Sequence, residues 1–437
     1  MPIWQPLFTD PTGTPVEMTP EGLLDTCRTY HQIFYSIEAT GGATAPATWS
    51  LLGEHTDHSG GVVLASLAQW SVAVTVSANA AAVINVTTVS GAEGGIDKQS
   101  IPVEEVAERA AVQQATVDVH GRLIQVPAPE GGVAARLGGV AWTMIHRQML
   151  SRDTCGLDIT VVSTIPAKVG LGEAAAIDVA TALALFTEES NDPPVRTRLA
   201  EICSQAADTF AGIPPVRARH TVALRGGHEV ISVVDYSDGS VTQAPHPVSR
   251  SGGLSAFAVM APMTPTTDNN PDETRRRRNF IDEATRSFSV ESLRLLPDAT
   301  VRVVEWLQAT REVTGRRDLP TVEQARNWLT FWEQETLRAQ QLASALRARR
   351  QQDIATLIEA SQRDMICMYG IPTTDEAVAG LCMNRGALSA RSASAGITHG
   401  VITLIDAPKA PNFSADLADD GLLVIPLGHG DIAQKYF

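Results

Sequence analysis

The run Gly53-Glu54-His55-Thr56-Asp57-His58-Ser59-Gly60-Gly61 sets two carboxylates and an imidazole within a few positions of each other. A glycine pair then lets the backbone turn sharply. Carboxylates accept hydrogen bonds, and a ring nitrogen donates or accepts according to its tautomer. Glu54, His55 and Asp57 therefore suit a ligand rich in hydroxyls. The same residue types also fit a charged surface turn. An apolar stretch, 49–52, precedes the run, and residues 71–77 alternate with period two as a strand does.

The elements that position this loop are legible as a mixed pattern. Strand-like alternation covers about 60–90, and 157–163 predicts another strand. Residues 173–187 and 194–211 predict helices, the second with Leu199, Ile202, Cys203, Ala206 and Phe210 on one face. Two strands, 221–224 and 229–234, are expected around the turn Arg225-Gly226-Gly227-His228. Ser249-Arg250-Ser251-Gly252-Gly253 interrupts the pattern, which places a domain boundary between 1–248 and 249–437. Beyond it come a strand at 254–260, a long helix over 321–349, a second over 351–369, and strands at 401–404 and 422–425. Val322, Ala325, Leu329, Trp332, Ala339, Leu342 and Leu346 form the inner stripe of the long helix; Ile354, Leu357, Ile358 and Met365 do so in the next. Strands and helices in both halves give an α+β protein.

Composition narrows the function classes. At 437 residues the chain holds two domains with real cores, and 44% hydrophobic with 19% charged residues is ordinary for a soluble protein. A formal charge of −15 disfavours nucleic acid as a partner. The one basic cluster, Arg275-Arg276-Arg277-Arg278, is followed a turn later by Asp282 and Glu283 and reads as a solvated helix face. Five cysteines, with no C-x-x-C spacing, point to reduced thiols in a cytoplasm and to neither a disulfide framework nor a zinc site. No leader and no membrane span is expected.

The segment Ala45-Pro46-Ala47-Thr48-Trp49-Ser50-Leu51-Leu52-Gly53-Glu54-His55-Thr56-Asp57-His58 resembles the galactokinase signature A-P-G-R-V-N-L-I-G-E-H-T-D-Y. Galactokinases are GHMP kinases, which move a phosphoryl group from ATP to a small-molecule hydroxyl. The match runs in order from about residue 23 to 406 and implies the two-domain GHMP fold, with a ribosomal-S5-like N-terminal domain and a ferredoxin-like C-terminal one. It also implies that Glu54, His55 and Asp57 contact sugar hydroxyls. The family arginine is replaced by Thr48.

The phosphate loop is altered. The family pattern P-x-x-x-G-L-S-S-S-A-A places backbone N–H groups and a helix N-terminus around the nucleotide phosphates. Here it reads Pro166-Ala167-Lys168-Val169-Gly170-Leu171-Gly172-Glu173-Ala174-Ala175-Ala176. Pro166, Gly170 and Leu171 keep the frame, with Lys168 in the same loop, while Gly172, Glu173 and Ala174 replace the serines. A carboxylate about 4 Å from a phosphate charge costs about 4 kcal/mol at an effective dielectric near 20. Glu173 instead suits the anion slot at the helix start.

The resemblance places Arg219 on the position of the family's general-base Asp and His220 on its Gln, within 212–220. Arg219 cannot accept a proton at neutral pH, and His220 is expected at a strand edge. A late loop, M-T-G-A-G-F-G-G in the family, becomes Ser392 to His399 with one glycine of four, Gly396, retained, and Asp272 and Val216 stand at further sugar-facing positions. Sugar-type residues persist while the phosphoryl-transfer residues are replaced. The sequence thus reads as a galactokinase-like pseudokinase that senses a sugar-like molecule or engages a protein partner. The alternative is an active sugar kinase with a rebuilt site. Mg-ATP then enters as its cofactor, with Lys168 on the phosphates, Glu173 on magnesium and Arg219 neutralising transition-state charge. No metal ligand is assigned otherwise.

Overall fold

A computed structural model of the chain describes residue 9, residue 11, and residues 14–90, 95–114, 126–249, 252–262, 271–393 and 398–437. The first strand, β1 (Gly41–Leu52), is buried along its whole length and pairs antiparallel with β2 (Val62–Asn79). Around them a mixed sheet forms from β3 (Val83–Ser90), β4 (Ile96–Pro102), β5 (Gly156–Ser163), β6 (Val230–Asp235) and β7 (Ser240–Pro245). Only β3 and β5 run parallel among these pairs. A second, antiparallel sheet contains β8 (Leu254–Met260), β9 (Ser389–Ser392), β10 (Val401–Asp406) and β11 (Leu423–Pro426), in the order β11-β8-β10-β9. The last strand, β12 (Gln434–Lys435), returns to pair with β1.

Continuous burial of β1 and of nearly all of β2 requires cover on both faces of the sheet. α1 (Pro20–Tyr35) packs on β2 and β5, with Leu23, Leu24 and Cys27 buried against Ala73, Val89 and Val162. α2 (Val103–Val112), α3 (Val133–His146), α4 (Glu173–Leu185) and α5 (Pro193–Phe210) join the main core. α4 is almost wholly buried, as its alanine-rich sequence permits. The same core continues into the second sheet and α9 (Val322–Arg347) through Leu254, Ala258, Ala339, Leu342 and Ile425. A separate apolar cluster joins α7 (Pro271–Ser287), α8 (Ala299–Thr314) and the outer part of α9. Thr321 and Gln324 form a capping box that starts α9 where the pattern predicts.

The long helix carries its expected stripe inward, with Val322 only partly buried. The helix expected over 351–369 stops as α10 (Gln351–Asp364) and gives way to a π turn, Met365–Tyr369, that ends at Gly370; Leu357 is only partly buried. One expected strand is not a strand. Residues 221–224 lie in α6 (Arg217–Arg225), whose residues 218–224 are all buried. A short segment buried on every side has no exposed face, so its run of apolar residues carries no helical period. α11 (Thr373–Asn384) and α12 (Ala410–Asp419) cover the second sheet. No described helix is long and apolar enough to cross a membrane. Arg250 and Ser251 of the expected boundary, and Gly396 of the late loop, fall outside the described residues.

Candidate functional site

The loop 53–61 follows β1 because Gly53 can take a left-handed backbone (φ 90°), where a Cβ would lie 2.1 Å from the Val62 carbonyl oxygen. Its N–H donates to Glu335 Oε1 at 3.2 Å, tying the turn to α9. His55 also has a positive φ, 65°, a strained conformation for a non-glycine residue. The structure brings Glu54, His55 and Asp57 together and buries them, at 1%, 4% and 1% exposure. The two carboxylates are already matched by cations within the chain.

Glu54 Oε2 forms an ion pair with Arg391 Nη1 at 2.6 Å. Arg391, from β9, is itself 2% exposed; it donates from Nη2 to Glu335 Oε1 at 3.1 Å and from Nε to Ser361 Oγ at 2.8 Å. Glu335 Oε2 in turn accepts from Arg338 Nη1 at 2.5 Å, and Arg338 reaches Asp364. A row of alternating charges thus runs from the loop through α9 to α10. Burial lowers the Arg391 guanidinium, but Glu54 and Glu335 outweigh it and raise it overall.

Asp57 meets a different cation. Its Oδ2 accepts the Arg217 backbone N–H at 2.9 Å, and Arg217 Nε lies 3.6 Å from the same oxygen. The Arg217 side chain also donates to the Asp57 carbonyl and stacks on Tyr236, 4.8 Å from the ring centre. Burial alone would raise the Asp57 carboxyl, yet Arg217 and Arg278 outweigh it and hold it down at about 2. Burial and Arg278 push His58 well below the usual imidazole value, so it is neutral at pH 7.

Arg278 belongs to the four-arginine run, which is not the solvated face its charge pattern predicts. Arg277 and Arg278 are 7% and 8% exposed. Arg278 donates to Asp208 Oδ1 at 3.1 Å and to the Pro215 carbonyl. Arg277 lies 3.8 Å from the ring centre of Tyr369, which stacks on His55 from the π turn. Asp272 is exposed and pairs with Arg275. Val216 is buried just before α6.

Arg219 lies on the inner side of α6, 5% exposed. Nη1 donates to the Thr48 carbonyl at 2.6 Å and to Thr48 Oγ1 at 3.2 Å, and Nη2 donates to the Gly170 carbonyl at 2.7 Å. The guanidinium thereby bridges β1 and the 166–172 loop, lying where a Cβ on Gly172 (φ 69°) would come within 2.8 Å of it. Burial draws it down to about 10, with Glu54 opposing. It stays charged at neutral pH, so it cannot serve as a base. The loop is further held by Thr48 N–H to the Leu171 carbonyl, 3.0 Å, and His399 N–H to the Lys168 carbonyl, 3.2 Å.

Glu173 opens α4, and its Oε1 accepts the Ser163 hydroxyl at 2.6 Å. Burial raises its pKa, with Ser163 opposing. Lys168 is exposed, with a positive φ of 65°, and no ion pair joins it to Glu173 among the described residues.

His220 is fully buried within α6 and not at a strand edge. Its Nε2 lies 2.9 Å from Asp178 Oδ2 and its Nδ1 3.1 Å from Ser204 Oγ. Arg136 grips Asp178 through two bonds of 2.7 and 2.5 Å. Burial would raise Asp178; Arg136 and His220 outweigh it and lower it. Sealed under α3, α4 and α5, this array holds helices together. No described group of three or more His, Cys, Asp or Glu residues has metal-site geometry.

Sequence reasoning missed Arg217, Arg391 and Glu335. Glu335 had a signal: a carboxylate three residues after Trp332 and four before Ala339 sits on an otherwise apolar stripe, and a charge there demands a buried partner.

Residues 29–78 match the galactokinase galactose-binding signature, and 136–215 match the GHMP kinase N-terminal domain. Human galactokinase is 23% identical over 377 residues, covering 84% of each chain. Galactokinase of Streptomyces coelicolor is 24% identical over 383 residues, covering 85% of this chain and 86% of that one. Among solved structures, Lactococcus lactis galactokinase complexed with galactose superposes with a TM-score of 0.68 at 14% identity, covering 94% of this chain and all of the other. Methanococcus jannaschii mevalonate kinase gives 0.55 at 11% identity, covering 89% and 98%.

Proposed function

We propose that this chain, which belongs to the galactokinase family of GHMP kinases, is a pseudokinase that keeps the family's sugar-type loop and has lost ordinary phosphoryl transfer. The observation that carries the reading is Arg219. At the position that the resemblance assigns to the base stands a cation, anchored to Thr48 and Gly170 and lying against the loop that would hold phosphates. An arginine takes no proton from a sugar hydroxyl. Glu173 adds a carboxylate at the start of α4, turned onto Ser163, in place of the serine hydroxyls.

The ligand class that suits Glu54, His55 and Asp57 is a small sugar or sugar-like molecule, as in the Lactococcus complex with galactose. Such a ligand competes with Arg391 for Glu54 and with Arg217 for Asp57. This competition weakens binding, a property suited to sensing.

The test is mass spectrometry of a hexose and pentose panel incubated with the protein and Mg-ATP, at enzyme concentrations where one turnover is visible. No sugar phosphate is expected. A product that disappears in Asp57→Ala overturns the reading and establishes a kinase with a rebuilt site. The sugar arm is tested by thermal shift with the same panel. A shift in the parent chain that is lost in Asp57→Ala is expected; no shift with any sugar refutes it.

A further inference from the structure

Beneath the 166–172 loop lies a second pair of buried polar groups, Asp375 and His399. Asp375, in the first turn of α11, is fully buried. Its Oδ2 accepts the Ser392 hydroxyl at 2.5 Å, while Oδ1 has no hydrogen-bond partner. His399, 5% exposed, has no partner on either ring nitrogen, and its Nδ1 stands 3.9 Å from Asp375 Oδ1. A buried acceptor facing a buried imidazole, both unmade and one short movement apart, is costly unless something closes it. The His399 backbone N–H meanwhile donates to the Lys168 carbonyl. The ring and the loop are therefore mechanically joined.

We propose that Asp375 and His399 form a proton-operated latch that fastens the 166–172 loop to the second sheet. With the carboxyl protonated, Asp375 is neutral and needs no further donor, and the 3.9 Å gap stays open. When the proton leaves to solvent, Oδ1 becomes an anionic acceptor in an apolar setting. The His399 ring then turns its Nδ1–H onto it, closing the gap to hydrogen-bond length and drawing on the Lys168 carbonyl through the His399 backbone. Losing one proton thus tightens the loop.

The surroundings make this titration fall in a useful range. Burial pushes the Asp375 carboxyl up to about 7, and the Ser392 hydroxyl opposes that rise. From β9, Arg391 is turned away to Glu54 and Glu335. From α10, the facing residue is Gln362, whose Oε1 accepts the Ser392 N–H and whose Nε2 is unpartnered. β8 carries no ionisable residue, and β10 carries only Asp406, at its far end. His399 is thus the one titratable group facing the free carboxylate oxygen among the described residues.

The test is hydrogen exchange across residues 166–172 from pH 6 to 8.5, corrected for intrinsic exchange, in the full chain. Protection that rises severalfold through neutrality is expected in the parent chain. Asp375→Asn should abolish the rise, since the amide cannot ionise. His399→Gln should abolish it while the carboxyl still titrates, read from the pH dependence of stability. Flat protection in the parent chain, or a rise that survives in either variant, overturns the latch. Should Asp375→Asn fail to fold, the His399→Gln result decides alone. None of these outcomes depends on whether the site transfers phosphate.

Discussion

Replacing Arg391 with Met tests whether the sugar-type loop is held by charge. At 2.6 Å from Glu54 and 3.1 Å from Glu335, the guanidinium gains about 6 and about 5 kcal/mol of gross Coulomb energy at an effective dielectric near 20. Desolvating three buried ions offsets most of that, by several kcal/mol each. The net of the intact network is therefore small, but the cost of breaking it is not. Met fills much of the volume and removes the charge, leaving Glu54 and Glu335 buried with one counter-ion fewer. That imbalance should cost about 3–5 kcal/mol. The assay is guanidinium unfolding, followed by tryptophan fluorescence and far-UV circular dichroism together, since coincident transitions are needed before a free energy is assigned. Glu54→Gln combined with Arg391→Met should cost less than the sum of the single changes by more than about 1 kcal/mol, because the two groups are in contact. A loss below about 1 kcal/mol for Arg391→Met, or additivity in the pair, would refute the network as the anchor of the loop.

Asp57 makes a prediction in acid. Its folded value of about 2 lies below the ordinary 3.8, so its stabilising contribution is present above pH 4 and lost as pH falls toward 2. Asp57→Asn should remove up to about 2–3 kcal/mol at neutral pH and flatten the acid limb of a stability-versus-pH curve; an unchanged limb would show that Arg217 does not hold the carboxylate. Under α3, Arg136→Met strips Asp178 of its bidentate partner and should cost about 3–5 kcal/mol in denaturant unfolding. Ser204→Ala, which removes one hydrogen bond to His220, should cost about 1 kcal/mol. The reverse ranking would disprove the reading of this array as an ion-paired brace.

What the sequence revealed and concealed follows from the kind of signal each feature carries. Long elements announce themselves: α9 shows its stripe over seven turns, and residues 71–77 of β2 alternate valines with small or polar residues although both faces of the strand are covered. α6 does not, because a nine-residue helix buried between β2, α4 and α5 has no polar face to set a period. Buried charge lies between these cases. Arg277 falls four residues before Ile281 and Arg278 three before it, so both ride the inner face of α7 that Phe280, Ile281 and Ala284 define. Charge counting alone assigned them to solvent; position on the helix assigns them to the interior. The same argument makes Glu335 and Arg338 interior residues of α9. A charge on an apolar stripe states that a partner exists, because an unpaired one is too costly to bury. It does not state which partner. Glu54 has the residue type and spacing of a sugar contact, and only the packing of β9 against the loop turns it toward Arg391. Motif residues can therefore persist in a sequence with their electrostatic demand already met from within. The energy of that internal pairing sets what any ligand of the loop must exceed before it binds.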